Sequence, residues 1–372
     1  MSRDGSETVR KVAMSGDAAG MPPSGRLPPW LEGIAGQAFA IALSLIGGAI
    51  VIMLVGEDPW LVLRTLLRGA FGSPERVAGS LLQATPIMLS GVAACVAFRG
   101  GLFNIGIEGQ LYMGGFAAAW VGFTFALPAV IHLPLAMLAA MLAGGLWILL
   151  PAFFRARYGT NEVVSTILSN YVAILLTSYL TISVFKRPGG WSETAPIAAS
   201  AELPQLFEFS RVNVGLFLAL VLALALHVFL TRTSTGYSVS AMGTNVRFAE
   251  YGGINVRRYT FFVLLASGAI GGLAGGVETL GVHHRFMEGF APGFGFDGVI
   301  AALLANGNPI GTIGAALFFG ALRSGSLLLE VDTEASREII TVVQALIILC
   351  VSAQFLIRRR RDSAMGQRRW KF

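Results

Sequence analysis

Residues 214–230 read VGLFLALVLALALHVFL, an unbroken apolar run that ends where a polar stretch begins at Thr231. A helix needs about 20 apolar residues to cross the hydrocarbon core of a bilayer, and this run approaches that length. Comparable runs recur along the chain, for example at 38–55 and 339–357. Because lipid offers no hydrogen-bond partners, each spanning segment has to satisfy its own backbone groups and therefore folds as a helix.

The composition indicates the same fold class. Of the 372 residues, 54% are hydrophobic and 13% are charged, whereas an ordinary soluble domain has about 25% charged residues. We therefore predict an all-α polytopic membrane protein with about ten transmembrane helices. The predicted spans are 36–55, 77–97, 107–127, 133–153, 162–183, 213–230, 259–280, 296–306, 310–329 and 338–357, and the run at 296–306 is short for a span.

The predicted spans also set the domain organisation and the orientation. We expect a flexible cytoplasmic tail at 1–35, a transmembrane domain at 36–357 and a basic cytoplasmic tail at 358–372. An even number of spans places both termini on one side, and 18 of the 27 Lys and Arg residues fall on that side. The positive-inside rule assigns this side to the cytoplasm. We interpret the basic run after the last span as a topology signal or a contact with membrane lipid, and not as a nucleic-acid site.

Two short motifs suggest an internal repeat. Gly106-Ile107-Glu108-Gly109 is echoed by Gly295-Phe296-Asp297-Gly298, and each motif opens an apolar helix. The predicted map places the first motif on the cytoplasmic side and the second on the outer side, as expected for an inverted repeat of helices 2–5 and 7–10. Glu108 and Asp297 are either caps of their helices or groups that line or gate a pathway.

Four further polar side chains are placed at or within the predicted spans. Gln83, Asn104, Asn170 and Gln344 lie at or within spans, so we expect them to face protein or water rather than lipid. The chain has no phosphate-binding loop of the GxxxxGK[ST] kind, and the GxGxxG match at 293–298 lacks the strand that a dinucleotide site requires. We predict a protein that is not an enzyme, with no catalytic residue, no metal site and no cofactor of its own.

The polar stretch at 231–258 predicts a short cytoplasmic helix between two spans. Asn245 is a suitable N-cap, and Gly252-Gly253 would end the helix. We expect Val246, Ala249 and Tyr251 to project from the membrane, where a small surface with one aromatic side chain suits the groove of a partner protein. The alternative is an ordinary solvated loop.

Four segments resemble one family of transport proteins. They are GTNVRFAEYGGINVRRY at 243–259, RGGLFNIGIEGQLYMGG at 99–115, NEVVSTILSNYVA at 161–173 and GFGFDGVIAALLANGNPIG at 293–311. The first looks like the coupling segment of bacterial ABC-importer permeases of the ribose and branched-chain amino acid type. The other three look like those of the simple-sugar and nucleoside subgroup, and the likeness covers about residues 40–357.

The resemblance implies a permease subunit in the bacterial inner membrane that forms the pathway for a nucleoside or a related simple sugar. ATP and Mg would bind to separate ATPase subunits, and the expected further partners are a second permease subunit and an extracytoplasmic solute-binding protein. Six residues carry over as the coupling helix: Gly243, Asn245, Ala249, Tyr251, Gly252 and Ile254. The residues expected to line, brace or gate the pathway are Asn104, Glu108, Asn161, Glu162, Asn170 and Asp297.

A second hypothesis is an ion-coupled secondary transporter of a small polar metabolite. Inverted repeats and intramembrane acids such as Glu108 and Asp297 are also typical of that class. Uptake that persisted without ATP and collapsed with the proton gradient would favour it.

Overall fold

The computed structural model describes residues 58–332 and, before them, residues 46–47, 49–50 and 52–54. The helices are α1 Pro59–Phe71, α2 Pro74–Arg99, α3 Ile107–Thr124, α4 Ala129–Trp147, α5 Leu149–Tyr158, α6 Glu162–Tyr179, α7 Gly215–Arg232, α8 Ser234–Thr244, α9 Val246–Tyr251, α10 Val256–Glu278, α11 Phe294–Leu304 and α12 Pro309–Asp332. Single π-helical turns, Leu180–Val184 and Thr279–His283, extend α6 and α10, and a 3₁₀ turn covers Ala199–Ala201.

The described part of the chain confirms a mostly helical, multi-pass membrane protein. Six of its helical stretches are long and apolar enough to cross a membrane: Pro74–Arg99, Ala129–Tyr158, Glu162–Val184, Gly215–Arg232, Val256–His283 and Pro309–Leu329. The predicted span at 338–357, most of that at 36–55 and both predicted tails lie outside the described residues. The count of ten therefore stays a prediction.

Three elements differ from the predicted map. α11 has 11 residues, which at 1.5 Å per residue cover about 16 Å and so only about half of the hydrocarbon core. The predicted span at 296–306 is therefore not a span on its own. α1 was not predicted because Arg64 and Arg68 interrupt its apolar pattern, yet its buried face, which includes Val62, packs against α12. A two-stranded hairpin, β1 Gln205–Phe207 with β2 Ser210–Asn213, adds a small sheet that the sequence did not predict.

The centre of the bundle consists of α2 and α10, which are the most completely buried of the six long helical stretches. Glycines on α10 let a neighbouring helix approach closely. Gly268 and Gly272 lie four residues apart, a spacing of small residues that is typical of close helix packing. A Cβ atom added to Gly272 would lie 2.2 Å from the carbonyl oxygen of Ala140, and one added to Gly144 would lie 2.4 Å from that of Gly268. No larger residue fits at these contacts without displacing the neighbouring backbone, so α4 and α10 pack with their backbones in direct contact.

Candidate functional sites: a buried carboxylate and an exposed helical loop

Glu108 lies in the first turn of α3 and is 2% exposed. Its two carboxylate oxygens accept hydrogen bonds from the backbone N–H groups of Gly293, at 2.7 Å, and Gly295, at 2.6 Å. These amides belong to the start of α11, where the first N–H groups of a helix have no partner within the helix and carry partial positive charge. Glu108 is therefore a cap, but of α11 and not of its own helix.

This contact corrects the predicted placement of the two similar motifs. The turn before α3 and the turn before α11 were expected at opposite faces of the membrane, yet Glu108 joins them directly. The physical reason is that the segment 100–106 folds back between the long helices. Asn104, within that segment, hydrogen-bonds to Ser267 well inside α10. Both α3 and α11 consequently begin inside the bundle.

Two glycines allow the turn before α11 to lie this close to the first turn of α3. A Cβ atom on Gly295 would lie 2.4 Å from the backbone nitrogen of Glu108, so any larger residue would separate the two turns. Gly293 has φ = 82°, a left-handed conformation that glycine adopts without the steric cost paid by other residues. The motif that matches GxGxxG is thus a close-packed helix start and not a nucleotide loop.

Asp297, in the first turn of α11, is held by a residue of α12. Its carboxylate forms an ion pair with Arg323 of α12 at 2.7 Å. The same guanidinium donates a second hydrogen bond to the carbonyl oxygen of Pro292, at 2.7 Å, and lies 4.3 Å from the ring centre of Phe294. Arg323 therefore fixes the turn that Glu108 caps, and no local pattern predicted this pairing because the two residues lie on different helices.

Asn104 is completely buried and connects three helices. Its Nδ2 donates to the hydroxyl of Ser267, at 2.9 Å, and to the side-chain oxygen of Gln110, at 3.0 Å. The Ser267 hydroxyl in turn donates to the carbonyl oxygen of Ala93, at 2.7 Å. As predicted, this polar side chain faces protein, and it ties the segment 100–106 to α2, α3 and α10.

Two of the three predicted residues of α6, Glu162 and Asn170, bond to the same segment. Asn170 donates to the carbonyl oxygen of Ile105 and accepts from the N–H of Gly109, both at 2.9 Å. Asn161 caps α6 through the N–H of Val163. Glu162 accepts from the N–H of Phe103 at 3.3 Å and pairs with Arg155 at 3.2 Å. All six predicted core residues therefore have protein partners, and their contact with a solute stays a prediction.

The loop at 231–258 forms two short helices, α8 and α9. The side chain of Asn245 accepts from the N–H of Phe248 at 3.1 Å, which confirms it as the N-cap of α9, and the helix ends at Gly252 as predicted. Tyr251 is 93% exposed and Val246 is about half exposed. Phe248, which the sequence reading missed, is 64% exposed.

Ala249 does not project from this surface, and the prediction of its exposure is wrong. It is 1% exposed and belongs to the apolar cluster that contains Met242 and Leu230. The reason is the phase of α9, which is fixed by the cap at Asn245 and turns Ala249 inward. Ile254 is partly buried beside the same cluster, and its N–H donates to the carbonyl oxygen of Ala249. We call the exposed side chains of Val246, Phe248 and Tyr251 the α9 surface.

Gly243 connects this loop to the rest of the bundle. A Cβ atom at Gly243 would lie 2.2 Å from the carbonyl oxygen of Arg99, and one at Gly101 would lie 2.9 Å from the Cα atom of Gly243. The end of α8 therefore touches the start of the segment 100–106. The segment 100–106 contains Asn104 and leads directly into α3, where Glu108 lies.

Comparison with known proteins identifies the family. Residues 76–352 match the family described as branched-chain amino acid transport system, permease component. The chain belongs to this family. A guanosine ABC transporter permease protein of Bacillus subtilis is 38% identical over 324 residues, which cover 86% of this chain and 93% of the relative.

Two further relatives have the same kind of name. A glucose ABC transporter permease protein of Haloferax volcanii is 32% identical over 358 residues, or 93% of this chain and 94% of the relative. A nucleoside ABC transporter permease protein of Lactococcus lactis is 30% identical over 329 residues, or 86% of this chain and 90% of the relative. The chain is therefore a permease subunit of an ABC transporter and not an enzyme, and nothing in these relatives supports the ion-coupled alternative.

Proposed function

We propose that this permease forms the pathway by which an ABC importer takes up a nucleoside or a related simple sugar across the bacterial inner membrane. The names of the relatives support this class of solute, since they specify guanosine, glucose and nucleosides. The ATPase subunits would bind ATP and Mg, an extracytoplasmic binding protein would deliver the solute, and a second permease subunit would complete the pathway.

The proposed orientation has both termini in the cytoplasm, with the tails at 1–35 and 358–372 on either side of the transmembrane domain at 36–357. In this orientation α8, α9 and the end of α2 face the cytoplasm. The distribution of Lys and Arg supports it. The inverted repeat of helices 2–5 and 7–10 is part of the same proposal, in which the similar motifs at 106–109 and 295–298 would be equivalent helix starts that meet inside the bundle. In the proposed count of about ten helices, α11 would cross only part of the membrane.

The α9 surface is the proposed docking site for the ATPase. Tyr251 and Phe248 are large, exposed aromatic side chains, and aromatic anchors of this kind dominate the energy of protein interfaces. The observation that carries the proposal is the contact of Gly243 with the end of α2, because a force on α9 then reaches the segment 100–106 directly. Of the six coupling residues, Tyr251 is thus an exposed aromatic contact, Asn245 and Gly252 begin and end α9, and Gly243, Ala249 and Ile254 join the loop to the bundle.

Asn104, Glu108, Asn161, Glu162, Asn170 and Asp297 have a second role in this proposal. Asn161 would hold the first turn of α6, and the bonds of the other five would make the segment 100–106, α3 and the start of α11 move together when the ATPases close. A rigid connection of this kind would convert closure of the ATPases into alternating access of the pathway. The solute itself undergoes no covalent change.

Co-purification of the ATPase tests the docking site. Tyr251→Glu places a charge at the centre of the α9 surface, and we expect the complex to lose its ATPase subunits and its uptake. Trp191→Glu is the matched control, because Trp191 is 90% exposed but lies in the segment between α6 and β1. Retention of the ATPase and of full uptake by Tyr251→Glu would refute the docking proposal.

A further inference from the structure

A cavity of about 340 Å³ lies beside the turn that Glu108 caps. Its wall combines polar and aromatic side chains from five parts of the chain, of which the most important are Gln83, Arg211, Glu278, His283, Phe290 and Phe294. The volume falls within the range of about 300–1,000 Å³ that is typical of small-molecule sites. None of these residues belongs to the coupling loop or to the network around Asn104.

Glu278 and His283 are the unusual pair in this cavity. Glu278 is buried near the end of α10, and His283 follows one helical turn later in the π-helical segment. The imidazole Nε2 lies 3.3 Å from a carboxylate oxygen of Glu278, but the geometry does not make a hydrogen bond, and this buried nitrogen has no other partner among the described residues. A buried polar atom without a partner is costly, and rotation of the imidazole ring toward the cavity would let a ligand hydroxyl satisfy it.

The other residues of the cavity wall add hydrogen-bonding groups and aromatic rings to this pair. Gln83 of α2 carries an amide, and Arg211 of β2 forms no ion pair with any residue between 58 and 332. Phe290 and Phe294 form an apolar side of the cavity, and Phe290 also packs edge-on against His283 at 6.0 Å between ring centres. A few convergent polar groups beside aromatic rings suit a solute with hydroxyls on one part and a planar ring on the other.

We propose that this cavity is a transit site of the permease, in which Glu278 and His283 bind the ribosyl hydroxyls of a nucleoside while its base contacts Phe290 and Phe294. This inference rests on the proposed function and specifies where the solute binds. A carboxylate accepts hydrogen bonds from hydroxyls, and a neutral imidazole can either donate or accept them. The turn between Phe290 and Phe294 is held by Glu108 and Arg323, so this wall of the site is joined to α3 and α12.

The adjacent histidines give a matched pair of variants. His283 lines the cavity, whereas His284 has φ = 53° and lies 3.9 Å from Glu202 outside it. His283→Asn and His284→Asn are comparable changes, and asparagine tolerates the left-handed conformation at position 284. With the reconstituted complex and saturating guanosine-loaded binding protein, we expect His283→Asn to lower guanosine transported per ATP about threefold and Glu278→Gln about tenfold. His284→Asn should match the unmodified complex.

A second measurement detects occupancy of the cavity itself. In a background with Cys95→Ser and Cys350→Ser, we expect guanosine without binding protein to slow the reaction of Gln83→Cys with a membrane-impermeant thiol reagent about fivefold. Trp191→Cys, far more exposed and outside the cavity, should react at an unchanged rate. Ribose in place of guanosine tests whether the hydroxyls alone suffice for protection.

Unchanged transport by Glu278→Gln and His283→Asn, together with equal labelling of Gln83→Cys with and without guanosine, would overturn the transit site while the permease function stands. Equal slowing of Gln83→Cys and Trp191→Cys would overturn it as well, because the protection would not be local. Absence of ATP-dependent guanosine and sugar uptake by the unmodified complex would overturn the proposed function, and the transit site with it.

Discussion

Glu108 and Tyr251 are opposite extremes of one connected structure. Glu108 is 2% exposed and both of its oxygens are bonded to the start of α11, whereas Tyr251 is 93% exposed and projects from the short helix α9. The first residue contributes to folding because its removal leaves buried groups without partners. The second contributes to association, because an exposed aromatic side chain gains its contacts only when a partner binds.

This comparison separates variants that unfold the permease from variants that uncouple it. A substitution at the buried contact between Glu108 and α11 should lower the thermal stability. A substitution on the exposed α9 surface should weaken partner binding and leave the stability unchanged. The four predictions below test that separation, in order of decreasing effect on stability.

Glu108→Ala should have the largest effect on stability. It removes the acceptors of the Gly293 and Gly295 amides and leaves a cavity between α3 and α11, so we expect a loss of about 4 kcal/mol in the free energy of unfolding. Thermal unfolding of the detergent-purified protein measures this loss. Glu208→Gln, at the exposed turn between β1 and β2, is the control and should leave the unfolding midpoint unchanged. A Glu108→Ala variant as stable as the control would show that the cap is unimportant.

Gly295→Ala should cost about 2 kcal/mol, because the new methyl group would overlap the backbone of Glu108 and the packed core cannot relax fully. The matched control is Gly314→Ala in α12, where an added Cβ atom meets nothing within 4 Å among the described residues. That control should be neutral or slightly stabilising, since alanine favours a helix more than glycine does. Equal unfolding midpoints for the two variants would contradict the close approach of α3 and α11.

Asp297→Asn should cost about 1–2 kcal/mol. The change breaks the ion pair with Arg323, but the pair is partly exposed, so solvent compensates for some of the lost interaction. Arg323 should keep its hydrogen bond to Pro292 and its contact with Phe294. Unfolding of Asp297→Asn and Arg323→Gln, singly and together, gives the interaction energy, and additive losses would argue against a direct pair.

Much of this architecture was predictable from the sequence, because long apolar runs and the cap at Asn245 are local signals. The run at 296–306 is short for a span, and the 11-residue helix α11 does not cross the membrane on its own. The predicted exposure of Ala249 was wrong for a different reason, because it depends on the packing of α9 on Met242, a tertiary contact that no local pattern encodes. The pairing of Asp297 with Arg323 was missed because α12 approaches α11 only in the folded bundle.

Tyr251→Glu should have the smallest effect on stability, below about 0.5 kcal/mol, because exposed substitutions rarely change the free energy of unfolding. It should nevertheless abolish ATP-driven uptake by removing the contact with the ATPase. Thermal unfolding and vesicle uptake measured on the same preparation separate the two effects. A large drop in the unfolding midpoint would mean that Tyr251 belongs to the folded core and not to a docking surface.

The most direct test of the account is a crosslink from the α9 surface to the ATPase. Tyr251→Cys, in a background with Cys95→Ser and Cys350→Ser, carries a thiol-attached photocrosslinker, and Trp191→Cys carries the same group as the control. The account predicts a crosslink to the ATPase from position 251 that strengthens when non-hydrolysable ATP closes the subunits, and none from position 191. No crosslink from position 251 in a complex that still transports solute would contradict it.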